Sequence, residues 1–221
     1  YAFKSNPNWT TDWSNYVGST PLNDSNFQTA VNLWFSDEAN ATATYGHISD
    51  WNVSAVKNMC NAFKNKSTFN ENIGKWDVSS VTDMRDMFRN ATAFNQTIGN
   101  WDVSSVTSMR QMFRDATAFN QAIGNWDVSS VTDLRDMFNG ATLFNQPIGN
   151  WEVPSVTNFK NMFSEATSFN QDISDWNVSA GSDFSNAFFA SNALSDANKA
   201  VIHYAFKSNP NWTTDWSNYV G

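Results

Sequence analysis

Only one cysteine, Cys60, occurs among the 221 residues, so no disulfide can form within the chain. Cys60 reads as a small buried residue. Histidine is nearly as scarce. His47 and His203 lie far apart, which leaves no Ser-His-Asp triad and no His/Cys cluster to hold a metal. Charged side chains are 15% of the chain and the net charge is -8, a balance that turns away nucleic acid and anionic membrane surfaces. No apolar run approaches the ~18 residues of a membrane span. No signal peptide opens the chain, which begins at Tyr1 as if in the middle of an element and reads as an excerpt of something longer. With no phosphate-binding loop or dinucleotide fingerprint either, the sequence points away from an enzyme and asks for no cofactor.

What the chain has in quantity is aromatic residues, with 18 Phe and 11 Trp, set in an Asn-, Ser- and Thr-rich background. They are strictly periodic. Trp stands at 51, 76, 101, 126, 151 and 176, and Val two places after each. Phe stands at 63, 88, 113, 138, 163 and 188, and again at 69, 94, 119, 144 and 169, with Leu194 in the sixth place. Ile takes 73, 98, 123, 148 and 173, and Asn takes 70, 95, 120, 145 and 170. A gap-free period of 25 over this many apolar positions means stacked coils, because one coil cannot bury its own Trp, Phe, Val and Ile.

Within a coil, Val81, Met84, Phe88 and Ala91 fall on one helical face, and Ser80 with Asp83 resembles a capping box, as does Ser130 with Asp133. Pro154 precedes the equivalent start at Ser155. The pattern predicts a short helix over 81–91, a short strand over 94–98 and a turn at Gly99. Parallel pairing of such strands would advance each coil by about 4.8 Å and the six by roughly 30 Å. The Asn series predicts an internal ladder in which side-chain amides satisfy backbone groups. The expected fold is therefore an α/β solenoid, leucine-rich-repeat-like, right-handed, of six strand-plus-helix coils with helical caps at both ends.

The run Phe-Asn-Gln-x-Ile-Gly-Asn-Trp-Asp-Val-Ser-Ser-Val-Thr-x-Met-x-x-Met-Phe, seen from residue 94 onwards, resembles the BspA-like surface proteins, in particular their DUF285 type of 25-residue repeat. The resemblance covers roughly 48–195. It implies a leucine-rich-like fold and a surface or secreted location, with links to adhesion in some relatives. It brings no catalytic residue.

The ends differ from the coils. Residues 19–47 read as an N-terminal cap, with Phe27, Val31, Trp34 and Phe35 at helical spacing. The coils occupy 48–194, and 195–221 read as a C-terminal cap that includes a helix at 195–206. Residues 1–18 and 204–221 are both YAFKSNPNWTTDWSNYVG, at an offset of 203 that is not a multiple of 25. We read 1–18 as the tail of a preceding tandem copy, and Trp9, Trp13, Tyr16, Trp212, Trp216 and Tyr219 as residues of a joint between domains.

The period also makes rows. Asp77, Asp102, Asp127 and Glu152 line up as weak candidates for a cation-binding row, against the simpler reading that each caps local backbone N–H groups. Arg85, Arg110, Arg135 and Lys160, beside Asp86 and Asp136, read as a solvated, screened surface. Of the Asn-x-Ser/Thr sequons, Asn8, Asn40, Asn90 and Asn211 are the accessible glycosylation candidates, while Asn95 belongs to the ladder. The expected function is an extracellular structural protein, one unit of a tandem array whose partners are its own neighbouring copies, head to tail. The alternative is a cell-surface adhesin that binds a host protein or glycan.

Overall fold

The computed structural model describes residues 20–220. Residues 1–18, with the candidates Asn8, Trp9, Trp13 and Tyr16, lie outside the described residues. At the N-terminal end, α1 (Phe27–Ser36) buries Phe27, Ala30, Val31 and Trp34. Next, α2 (Glu38–Tyr45) starts on Asp37, whose carboxylate accepts from the Asn40 amide, and stops at Gly46, φ 81°. At the other end, α3 (Asp196–Phe206) starts on Ser195 and buries Ile202 and Phe206.

Between them the expected architecture is overturned. No helix and no strand lies between residues 51 and 195, so the right-handed α/β solenoid of strand-plus-helix coils is not what this sequence makes. Each coil is a succession of tight turns. Successive coils meet through single parallel bridges, Asn58 to Asp83 to Ser108 to Asp133 to Asn158 to Asp183.

The helix expected over 81–91 fails for a local reason. Asp86 and Asn90 have φ of 55° and 58°, in the left-handed region that no α-helix interior tolerates. The amides then part company. Those of Met84, Asp86, Phe88 and Asn90 donate to the carbonyls of Ser108, Arg110, Met112 and Arg114 in the following coil, at 2.8–3.1 Å. Those of Met87, Arg89 and Ala91 donate three residues back within their own coil. Every second N–H holds the stack together and the others hold the turns, so the buried backbone is satisfied without helix or sheet.

The strand over 94–98 is missing because side chains make its cross-coil bonds. The amide of Asn95 donates to the side-chain oxygen of Asn70, and Asn120, Asn145 and Asn170 repeat this on the preceding Asn at 2.8–3.0 Å. Ser195 ends the series on Asn170. This asparagine ladder runs along the surface rather than inside, with Asn70 and Asn95 exposed.

The core is three columns of aromatic rings. Phe63, Phe88, Phe113, Phe138, Phe163 and Phe188 stack at 5.4–5.8 Å between centroids. The second Phe of each of the first five coils lies 3.8–4.0 Å from the first, stacked on it with nearly parallel planes. Stacked Trp pairs form the third column, with Trp151 and Trp176 at 6.1 Å. Such pairs add about 0.5–1.5 kcal/mol each beyond the area they bury.

The first coil is received by Asp24, whose carboxylate accepts from the amides of Lys57 and Asn58 at 2.7 and 2.9 Å. Above it, Trp34 meets Trp51 edge-on.

Candidate functional site

The acidic row resolves into separate local turns. In Asp77, Asp102 and Asp127, one carboxylate oxygen accepts from the hydroxyl and the amide of the serine two residues on, at 2.6 Å and 3.0–3.1 Å. The serine hydroxyl first, and its amide second, hold these carboxyls below the usual carboxylate range. Glu152 stands apart because Pro154 takes the place of that serine, and proline has neither hydroxyl nor N–H. Among the described residues no three His, Cys, Asp or Glu side chains form a group that could hold a metal ion.

In the basic row, Arg135 approaches Asp133 at 3.9 Å and Arg85 is held more closely. Arg85 clasps Asp83 at 2.6–2.9 Å. Beside it a polar chain crosses the coils. Lys64 and Arg89 both meet Asp86 at 3.1 Å, and Arg89 also reaches Gln111. Gln111 donates to Asp136 at 3.3 Å, and Asn161 donates to the same carboxylate at 2.9 Å. Asp136 is 5% exposed, so the expectation of a wholly solvated face is corrected for that residue. An open polar groove of about 460 Å³ runs along Thr82, Arg85, Thr107, Arg110, Thr132 and Asp133.

Cys60 is half-buried and free. Burial, with Asp83 next, pushes its thiol up, away from thiolate reactivity. Among the sequons, Asn40 is exposed on α2. Asn90 is half-buried and donates to Asn65 at 2.6 Å. Asn211 is exposed, yet its amide nitrogen, the atom a glycan would occupy, donates to the Gly181 carbonyl at 3.1 Å.

The densest constellation is the C-terminal cap. Trp212 meets Phe206, Phe184 and Phe188 edge-on at 5.2, 5.5 and 6.2 Å. Trp216 lies 5.0 Å from Phe188. The structure thus brings both indoles onto the last coil of their own chain. His203, on α3, accepts from the Trp212 indole N–H at 3.2 Å and from the Trp216 amide at 3.4 Å. Asn209 is buried, and its side chain donates to the carbonyls of Val178 and Gly181 at 2.7 and 3.0 Å. Gly181 replaces the Val of the other coils because the Phe184 ring fills the space where its side chain would stand. Tyr219 stays outside, 40% exposed, with Lys199 over its ring at 4.5 Å. Together with Val201 and Tyr204 it borders an open apolar depression of about 430 Å³.

Asn209 and His203 are the cap residues that sequence reading missed. The signal for Asn209 was present, since it lies inside the duplicated segment, where the aromatic residues and the sequon at Asn211 drew notice instead.

An aromatic column of turn-built coils, closed by a helical cap at one end and an Asn/Trp plug at the other, defines this as a stacked-coil protein with no assembled catalytic group among the described residues. The chain matches the family described as Mycoplasma protein of unknown function, DUF285, over residues 29–129 and again over 120–214, and it belongs to that family. No curated protein and no solved structure matches it.

Proposed function

We propose that the protein is an extracellular structural element, one unit of a tandem array that forms a filament or stalk. One observation carries the reading. The segment that closes the end of the coil stack, 204–221, is repeated letter for letter at 1–18, immediately before the N-terminal cap. A segment whose second copy plugs a stack is suited to plug the stack before it. Thr20 already pairs with Thr44 and Leu22 is already buried in the N-terminal cap. Ser19 alone then separates the repeated segment from that cap. A joint of one or two residues spans less than about 7 Å, which leaves consecutive units little room to swing.

The test is electron microscopy of the native material. Fibres with an axial repeat set by one 203-residue unit support the array. Isolated particles, or beads on flexible tethers, would sink the filament. The second reading, a multivalent adhesin, draws on the polar groove along Thr82, Thr107 and Thr132, whose repetition suits a periodic polar ligand such as a glycan.

A further inference from the structure

We infer that the exposed end of the sixth coil is a receptor for the sequence YAFKSNPNWTTDWSNYVG as such, and that residues 1–18 of one molecule seat there on a second copy in place of that copy's own 204–221. The receptor is built. Its polar part is the pair of carbonyls of Val178 and Gly181, which Asn209 and Asn211 satisfy. Its apolar part is the rings of Phe184 and Phe188, against which Trp212 and Trp216 pack. Residues 1–18 carry every one of these groups in the same order, with Asn6, Asn8, Trp9 and Trp13 in the places of Asn209, Asn211, Trp212 and Trp216.

Two identical segments therefore compete for each receptor. The resident one is tethered beside it, at an effective concentration on the order of millimolar, and holds it in dilute solution. Once the resident segment is weakened, the vacated receptor of the same chain lies across the coil stack from the N-terminal cap that residues 1–18 precede. Residues 1–18 then bridge to a neighbour, and because the contact is heterologous the assembly grows as an open head-to-tail string. The inference does not rest on the tandem array. If exchange between chains fails, a covalent array in which each plug seats on the unit before it still stands.

The experiment uses the full chain with the resident plug weakened by Asn209→Ala and Trp212→Ala, followed by light scattering across a concentration series. Strings are expected, with an average mass at least twice that of one chain and rising with concentration. The same chain with Asn6→Ala and Trp9→Ala added should stay at single-chain mass. A double variant that remains single, or a quadruple variant that associates equally, overturns the inference. Should these variants not fold, a photo-crosslinking peptide of residues 1–18 is incubated in excess with the wild-type chain. Cross-links at Phe184 and Phe188, lost when the peptide carries Asn6→Ala and Trp9→Ala, support exchange. Their absence, or their persistence with the altered peptide, overturns it.

Discussion

The indole N–H of Trp151 donates to the backbone carbonyl of Ile123, 28 residues earlier, at 3.0 Å. Trp76, Trp101, Trp126 and Trp176 do the same to Ile48, Ile73, Ile98 and Ile148. Each ring is a stacking surface and a rivet to the preceding coil. Trp151→Phe should keep the stacking and remove one of the two hydrogen bonds that the Ile123 carbonyl accepts, the Trp126 amide keeping the other at 3.1 Å, at a cost of about 0.5–1.5 kcal/mol. Urea denaturation checks this, and a variant as stable as wild type would show that the stacking suffices.

Gly74, Gly99, Gly124 and Gly149 owe their identity to close approach. A Cβ on Gly124 would drive into the carbonyl oxygen of Pro147 in the next coil, and the other three face Thr97, Ala122 and Asp172 in the same way. Ser174 fills this position in the sixth coil, which no further coil follows. Gly124→Ala should therefore destabilise by about 3 kcal/mol, the upper part of the usual overpacking range, because backbone cannot step aside. Ser174→Gly should change thermal stability little. Equal effects of the two would contradict this account.

The surface ladder gives a test by acceptor chemistry. Asn120 accepts from the amide of Asn145 at 3.0 Å and from the side chain of Gln146 at 2.9 Å, both through Oδ1. Asn120→Asp keeps that oxygen and should be tolerated. Asn120→Leu removes it and should cost about 1–2 kcal/mol at this half-buried site. Hydrogen exchange at Asn145 should quicken in the Leu variant and hold in the Asp variant.

Asp77, Asp102 and Asp127 titrate below the ordinary range because the folded turn stabilises the charged form. Their contribution is present above the unfolded-state value, about 3.9, and is lost as pH falls through the lower folded values. Ser79→Ala should raise the midpoint of Asp77 towards the ordinary carboxylate value and leave Asp127 where it was. Carboxyl-carbon NMR titration reads both, and an unmoved Asp77 would show that the serine is not the cause.

The apolar period was legible because burial fixes it. Trp101, Val103, Phe113, Phe119 and Ile123 are all buried where the spacing placed them. The local backbone was not. Val81, Met84, Phe88 and Ala91 satisfy a helical spacing, yet they point inward from a chain that turns at Asp86 and Asn90. Signs of those turns were present: residues 61, 86, 136, 161 and 186 are Asn or Asp, and 65, 90, 115 and 140 are Asn, Asp or Gly. These residue types favour the left-handed region. A capping-box reading of Ser80 and Asp83 hid them. Asp83 instead accepts from the amide of Arg85 two residues on. The plug was half legible, since Trp212 and Trp216 stood out as aromatic residues, but only the structure pairs Asn209 with the last coil's carbonyls.

The amides of Met84, Asp86, Phe88 and Asn90, and their equivalents in the other coils, aim towards the C-terminal end. That strip is an electrical arrow, although the amides of Thr107 and Ala118 on neighbouring strips donate to the preceding coil. Phe184 and Phe188 belong to a coil with no successor, so their side of the stack ends in amide hydrogens, while the opposite end finishes in carbonyl oxygens such as that of Ala62, which Gln28 reaches at 3.5 Å. Like poles of two such columns offer donor to donor or acceptor to acceptor. Opposite poles match, so a column of this kind has a built-in sense of forward and back.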